Sequence, residues 1–134
     1  MISLAQAVAA IDAVVRASEK AGFAVAVAVV DDHGDLIAAH RMDGCRPRSI
    51  RMTQRKAYTA AVMDRDTTAL QEDMVKRQFH ISYYGDKMFT ALPGGVVVRG
   101  SDGRTLGGIG VTGNAKNRDG ELAAAGLAHL GHTV

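Results

Sequence analysis

The sequence predicts an α+β fold, in which helices pack on an antiparallel sheet. Two pairs of apolar runs are each joined by a short polar turn, at residues 31–34 and 101–103, and this arrangement is typical of β-hairpins. Stretches with helical spacing of apolar residues precede, separate and follow the hairpins. The predicted order is therefore helix, hairpin, two helices, irregular segment, hairpin and helix, with antiparallel pairing inside each hairpin.

The first helix and the first strand have clear signals. Ser3 and Gln6 form a capping box at the start of the helix, and Gly22 suits its end. In the strand at residues 23–30 valines alternate with alanines, so neither face is polar and both are expected to be covered. The alanine face would let a helix approach closely. An apolar face of the first helix is predicted at Leu4, Val8, Ile11 and Val15.

The other predicted elements, in chain order, are a return strand at residues 36–42, a basic helix at 47–62, a helix from Asp66 or Thr67, an irregular segment at 79–93, strands at 96–99 and 105–112, and a helix from Asp119. Leu70 and Met74 are expected on the inner side of the third helix. Residues 108–113 match G-x-G-x-x-G, but they lie inside a predicted strand. A dinucleotide site is therefore rejected in favour of close backbone approach at these glycines.

Size and composition bound the class of protein. The chain of 134 residues, 47% of them hydrophobic, is expected to form a single domain over residues 1–134. A net charge of +2 and an aromatic content of 4% argue against a nucleic-acid partner. Cys45 is the only cysteine, so no intrachain disulfide can form. Because we find neither signal-peptide features nor an apolar run of membrane-spanning length, we expect no membrane association and a cytoplasmic location.

A run of basic residues is the strongest candidate for a binding site. No acidic residue lies between Asp43 and Asp64, and Arg48, Arg51 and Arg55 share one face of the predicted helix. Such a concentration of positive charge suits an anionic ligand. The alternative is a solvated face that pairs with acidic residues or with a partner subunit.

Lys56 follows these arginines in the apolar stretch KAYTAA. It lies about 100° round the helix from Arg55, so it can face a different surface. We expect it to be partly buried. Burial would lower its pKa and would make it a base or an anion clamp.

The irregular segment concentrates aromatic residues around His80, Tyr83 and Tyr84. The histidine could ligate iron or transfer a proton, and a tyrosine could donate to an oxyanion. The alternative is a surface histidine with two packing tyrosines. We expect the pocket to lie between the Lys56 helix and residues 80–84, because apolar walls with few polar groups are typical of small-molecule sites.

Four motifs together resemble the GlcG/HbpS-like family, also called the haem-degrading domain family: VVDDHGDLIAAHRMDG (residues 29–44), KAYTA (56–60), LPGGVVV (92–98) and LGGIGVTG (106–113). The resemblance implies a profilin-like fold, with an antiparallel sheet of about five strands and helices on both faces. The fifth strand would come from the irregular segment. It also implies a homo-oligomer, as a dimer, tetramer or octamer, and haem as a candidate cofactor.

Two functional hypotheses follow. The first is a protein that binds haem or a related tetrapyrrole, and that degrades haem in some members of the family. The second is a small isomerase, lyase or hydrolase that acts on an organic or aromatic acid in a catabolic pathway. The predicted site residues are Lys56, Tyr83 and Tyr84 as catalytic groups, Arg48, Arg51, Arg55, His80, Phe89, Gly94 and Gly95 as ligand-binding groups, and His80 as the metal ligand.

Overall fold

The computed structural model describes residues 1–113 and 118–130, and its elements follow the predicted order. They are α1 (Leu4–Ala21), β1 (Val25–Asp31), β2 (Leu36–Arg41), α2 (Ser49–Met63), α3 (Thr67–Arg77), β3 (Gly95–Arg99), β4 (Thr105–Gly113) and α4 (Asp119–Ala124), with 3-10 helices at Ile81–Tyr84 and Leu127–His129. The strands form one antiparallel sheet in the order β2-β1-β4-β3. The α+β prediction is confirmed. Among the described residues, no helix combines the length and the apolar character that crossing a membrane requires.

Helix α1 has the predicted ends but a different buried face. The Ser3–Gln6 capping box is present, and Gly22 adopts the left-handed conformation. Leu4, however, is 62% exposed, so its expected place in the core was wrong. The small side chains of Ala7 and Ala10 allow α1 to approach the sheet, and the buried face forms around them. Its buried members are Ala7, Ala10, Ile11, Val14 and Ser18.

Strand β1 runs through the centre of the fold and is covered on both faces, as predicted. Val25, Val27 and Val29 belong to the main hydrophobic core with α1 and α4. On the opposite face, Ala28 packs against Ala57 of α2. The sheet therefore separates a larger core beneath α1 from a thinner layer beneath α2.

Helix α2 lies very close to the sheet because glycines face it from β4. A methyl group added at Gly110 would lie 2.2 Å from the carbonyl oxygen of Thr53, and one added at Gly108 would lie 2.3 Å from that of Ala57. The hydroxyl of Thr53 also donates to the carbonyl of Ala26, at 3.1 Å. The glycine motif thus serves close backbone approach within a strand, as the sequence indicated.

The sheet has four strands in the described part of the chain, so the expectation of about five was wrong. The irregular segment supplies no strand because its backbone is bound to α2 instead: the Thr90 amide donates to the Thr59 hydroxyl at 2.9 Å. The outer edge of β3 is also occupied. The amides of Gly95 and Val97 donate to the side chains of Thr67 and Asp66, each at 2.9 Å.

Candidate ligand-binding site

Lys56 is buried between α2 and the sheet, and its side chain links the helices on the two faces of the sheet. Its Nζ donates to the carbonyl of Val111 at 3.0 Å and to Oδ2 of Asp119 at 3.2 Å. The Lys56 side chain is 4% exposed and that of Asp119 is 15% exposed. Because α2 and α4 lie on opposite faces of the sheet, this ion pair connects them past the end of β3.

The pair has unusual electrostatics for two charged groups. Burial lowers the pKa of Lys56 below its ordinary value, and the attraction of Asp119 only partly opposes this effect. Burial likewise raises the pKa of Asp119, against the opposing attraction of Lys56. The Oδ1 atom of Asp119 is buried without a hydrogen-bond partner in the described structure. The proton affinities of the two groups are therefore closer than those of an exposed lysine and aspartate.

Gly94 and Gly95 make room for this lysine. Gly94 has a φ of +124°, and a methyl group there would lie 2.9 Å from Nζ of Lys56. At Gly95 it would lie 2.3 Å from the Lys56 carbonyl oxygen. Both glycines thus border Lys56 through their backbone, and their ligand-binding role stays a prediction.

The three predicted arginines lie in different surroundings. Arg55 donates through Nη2 to the carbonyl of Phe89 at 3.0 Å, while its Nε is buried without a partner in the described structure. Arg51 is exposed, and Arg48 lines a small pocket beside Cys45. The wall of that pocket contains neither Arg51 nor Arg55.

The aromatic residues of the irregular segment form a cluster around Phe79. Its ring centre lies 4.9 Å from that of Tyr83 and 5.4 Å from that of Tyr84, both in edge-to-face geometry. Phe89 extends the cluster from Tyr84 to Tyr58 of α2, with centres 5.8 and 5.5 Å apart. Such aromatic pairs add stability beyond their buried area.

A hydrogen bond attaches this cluster to α2. The hydroxyl of Tyr58 donates to Oδ2 of Asp86 at 2.6 Å. This bond raises the pKa of the Tyr58 hydroxyl and lowers that of the Asp86 carboxyl, because it stabilises the protonated tyrosine and the charged carboxylate. The irregular segment is therefore held in place by specific contacts.

An open groove of about 470 Å³ runs beside the cluster, between the end of α3 and the first 3-10 helix. We call it the aromatic groove. Val75 and Tyr83 on its walls are 73% and 69% exposed, which is unusual for side chains of their size. Its wall residues are Gln71, Met74, Val75, Gln78, Phe79, His80, Ile81, Tyr83 and Ala91.

His80 is an exposed residue of this groove with one ring nitrogen occupied. Its Nδ1 lies 3.2 Å from the Ser82 amide, which donates to it, and 2.8 Å from the Ser82 hydroxyl. The neutral ring in this arrangement carries its proton on Nε2. Ligation of a metal through Nε2 would move that proton to Nδ1, which would then donate to the Ser82 hydroxyl and give up the hydrogen bond from the Ser82 amide.

The structure thus brings His80, Tyr83 and Tyr84 close to one another, with Phe89 behind them. It places Lys56 with Gly94 in the buried pair, and Lys56 does not line the aromatic groove. The catalytic and binding roles of all these residues stay predictions.

Sequence reasoning missed two members of the site. Asp119, the partner of Lys56, is 63 residues away along the chain, and no local pattern connects them. Phe79, the centre of the cluster, could have been predicted as a site residue, because it lies next to His80 in the irregular segment.

A second cavity, of about 440 Å³, lies beside the turn of the first hairpin. Asp31, Asp32 and His33 there offer ligand atoms within 4.8 Å of one another. The Oδ1 atom of Asp31, however, already accepts the amides of His33 and Asp35, at 2.8 and 3.0 Å, which explains the cluster as part of the turn. The acidic surroundings also disfavour an anionic ligand.

Known proteins resemble this chain in sequence and in structure. It is 38% identical to Protein GlcG of Escherichia coli over 95 residues. This aligned region covers 71% of this chain and 69% of GlcG. A double mutant of HbpS from Streptomyces reticuli superimposes with a TM-score of 0.86 at 35% identity, over 97% of this chain and 87% of HbpS. The PduOC–haem complex has the same fold, with a TM-score of 0.84 at 24% identity, over 96% of this chain and 94% of PduOC.

A family comparison extends this similarity along the chain. Residues 2–128 match the family model described as Haem degrading protein HbpS-like. The matched region contains all the elements of the fold up to the last 3-10 helix, including the aromatic groove and the Lys56–Asp119 pair. The resemblance drawn from four short motifs is thereby confirmed. The chain belongs to the HbpS-like family.

Proposed function

We propose that this chain binds haem, or a related tetrapyrrole, in the aromatic groove, with His80 as the axial ligand. The observation that carries the proposal is an apolar groove with an exposed imidazole on its wall. The groove volume of about 470 Å³ lies within the range of about 300–1,000 Å³ that is usual for small-molecule sites.

The residues of the groove suit the chemistry of this ligand. Phe79, Tyr83 and Val75 offer apolar surface to the faces of a porphyrin. Next to the groove, the guanidinium of Arg77 lies 5.1 Å from the centre of the Phe79 ring, with its Nε 3.2 Å from Oδ2 of Asp73, and it would offer positive charge to a propionate. Haem would bring an iron that accepts an axial nitrogen, and Nε2 of His80 is the nitrogen available.

The comparisons support the class of ligand. The family description names haem degradation, and the PduOC structure is a haem complex, although both statements concern relatives. Haem degradation by this chain is the finer proposal, and loss of the haem spectrum with dioxygen and a reductant would test it. The single domain and the cytoplasmic location expected from the sequence also stay predictions.

Replacing His80 with alanine is expected to abolish the Soret shift that hemin shows on binding, or to weaken hemin binding at least about tenfold. Removing the imidazole takes away the axial nitrogen but leaves the apolar walls in place. An absorption titration with hemin measures both quantities. His40→Ala is the matched control, because His40 is an exposed histidine of another open cleft. Equal Soret bands in wild type and H80A, or a loss confined to H40A, would contradict the placement.

The second candidate function is an enzyme that acts on an organic or aromatic acid. The observation that favours it is the buried Lys56–Asp119 pair, whose pKa values are shifted towards each other. Against it, Lys56 is 3% exposed, and it does not line the aromatic groove. Turnover of an organic acid that Lys56→Met removes, with hemin binding intact, would favour this function.

We also propose that the chain forms a homo-oligomer. Several large apolar side chains are exposed outside the aromatic groove, among them Leu4 and Leu36, and a second copy could cover them. Light scattering is expected to give a mass that is a multiple of 14.1 kDa. A single species at that mass would show that the chain is a monomer.

A further inference from the structure

A small pocket lies at the N-terminal end of α2, apart from the aromatic groove. Its volume is about 70 Å³, and its walls come from the start of α2, the loop before it and the end of β4. The residues that matter for its chemistry are Cys45, Arg46, Arg48, Ser49 and Thr112. We call it the α2 N-terminal pocket.

The end of α2 at this pocket carries uncompensated positive charge. Arg48 at the N-cap makes no capping hydrogen bond, and the first turn contains no acidic residue. The amides of Ile50 and Arg51 find no acceptor among the described residues. Free amides and the helix dipole together attract anions to such an end.

Two hydroxyl groups in the walls of the pocket lack partners. Ser49 is 4% exposed, and its side chain makes no hydrogen bond with any described residue. The Oγ1 atom of Thr112 is buried and likewise has no partner in the described structure. Buried polar groups are nearly always hydrogen-bonded, so the buried, unpartnered Oγ1 of Thr112 beside the open Ser49 hydroxyl indicates a missing ligand.

The charged side chains here are also free. In the described part of the chain, neither Arg46 nor Arg48 forms an ion pair. The thiol of Cys45 donates to the carbonyl of Thr112, with 3.8 Å between sulfur and oxygen. The pocket therefore offers donors and cations to a ligand, and no carboxylate lines it.

We propose that the α2 N-terminal pocket binds a small oxyanion, a carboxylate or phosphate group, between Arg48, the Ser49 hydroxyl and the free amides of α2. Its volume is that of roughly two water molecules, which admits the head of an oxyanion and excludes a ring. The site is independent of the aromatic groove, so its test does not depend on haem binding.

The experiment titrates the full chain with inorganic phosphate and, separately, with acetate, at constant ionic strength kept with sodium chloride. Amide NMR spectra are expected to show saturable shifts at Ile50 and Arg51. Alkylation of Cys45 by iodoacetamide is expected to slow in proportion to occupancy, because the anion fills the space before the only thiol. Saturation by one anion alone identifies the group that the pocket takes.

Arg48→Gln is expected to weaken anion binding about tenfold, since it removes a charge-assisted hydrogen bond. Arg104→Gln is the matched control, because Arg104 is an exposed arginine in the turn of the second hairpin. Ser49→Ala tests the hydroxyl by itself without changing the charge. If neither anion shifts the amides more than chloride does, or if R48Q titrates like R104Q, the proposal is wrong.

Discussion

Replacing Gly110 with alanine is expected to lower the free energy of unfolding by about 3 kcal/mol, in the upper range for overpacking. The added methyl group would lie 2.2 Å from the backbone oxygen of Thr53, and a backbone atom of a packed helix cannot rotate away. The entropic advantage of alanine over glycine, about 0.5–1 kcal/mol, is too small to offset this. Thermal unfolding should show a midpoint about 10 °C lower.

Gly120→Ala is the matched control for this substitution. Gly120 lies in α4, and a methyl group there would meet only the Thr68 hydroxyl oxygen, at an ordinary 3.9 Å. Alanine is the better helix former, so this variant is expected to be unchanged or more stable by up to about 1 kcal/mol. Equal stability of the two variants would mean that α2 can move away from the sheet without cost.

Replacing Lys56 with methionine is expected to destabilise the fold by about 3 kcal/mol at neutral pH. The substitution leaves the Asp119 carboxylate without its partner, and breaking one side of a buried ion pair typically costs about 3–5 kcal/mol. We expect the lower end of that range because the Asp119 side chain is 15% exposed and water reaches part of it. Urea unfolding at pH 7 measures the change.

The cost of this variant should depend on pH in a predictable direction. The pKa of Asp119 is already raised by burial, and without Lys56 only the backbone amide of Gly113 still opposes that effect. The folded state then binds a proton more tightly than the unfolded state. Stability therefore falls as the pH rises from about 4 through the folded-state pKa. The difference between wild type and K56M is expected to be small at about pH 4 and largest at pH 7.

The double variant Lys56→Met with Asp119→Leu separates the charge from the packing. Replacing both members of a buried pair with apolar residues is often neutral or stabilising, so the double variant should recover most of the loss. It should also lose the dependence on pH. A double variant that remains as unstable as K56M would show that the lysine stem, and not the charge, carries the effect.

The close contact between α2 and the sheet could be predicted from local patterns. Alanines on one face of β1 and glycines in β4 both indicate close approach of a helix. In the structure, these small residues lie against α2 as expected. The same rule explains the error at Leu4: small residues again define the buried face of α1, and the larger leucine lies outside it. Counting large apolar residues alone misplaced that face.

The pairing within the site could not be predicted in the same way. The apolar surroundings of Lys56 in the sequence indicated its burial, but its partner Asp119 is determined by how two layers meet across the sheet. The position of the irregular segment depends on the bond between Tyr58 and Asp86, two residues with no shared motif. Contacts of this kind depend on how distant segments pack together, so the sequence pattern of a single helix or strand does not predict them.

Side chains at the start of α3 cover the edge amides of β3, which affects both their hydrogen exchange and the pairing of β3 with a further strand. Because Thr67 and Asp66 accept the outward amides of Gly95 and Val97, these amides should exchange slowly with deuterium although they lie on an edge strand. Among the described residues, no comparable side chain covers the outer edge of β2. An added strand from another chain would therefore find β3 closed and would have to pair along β2.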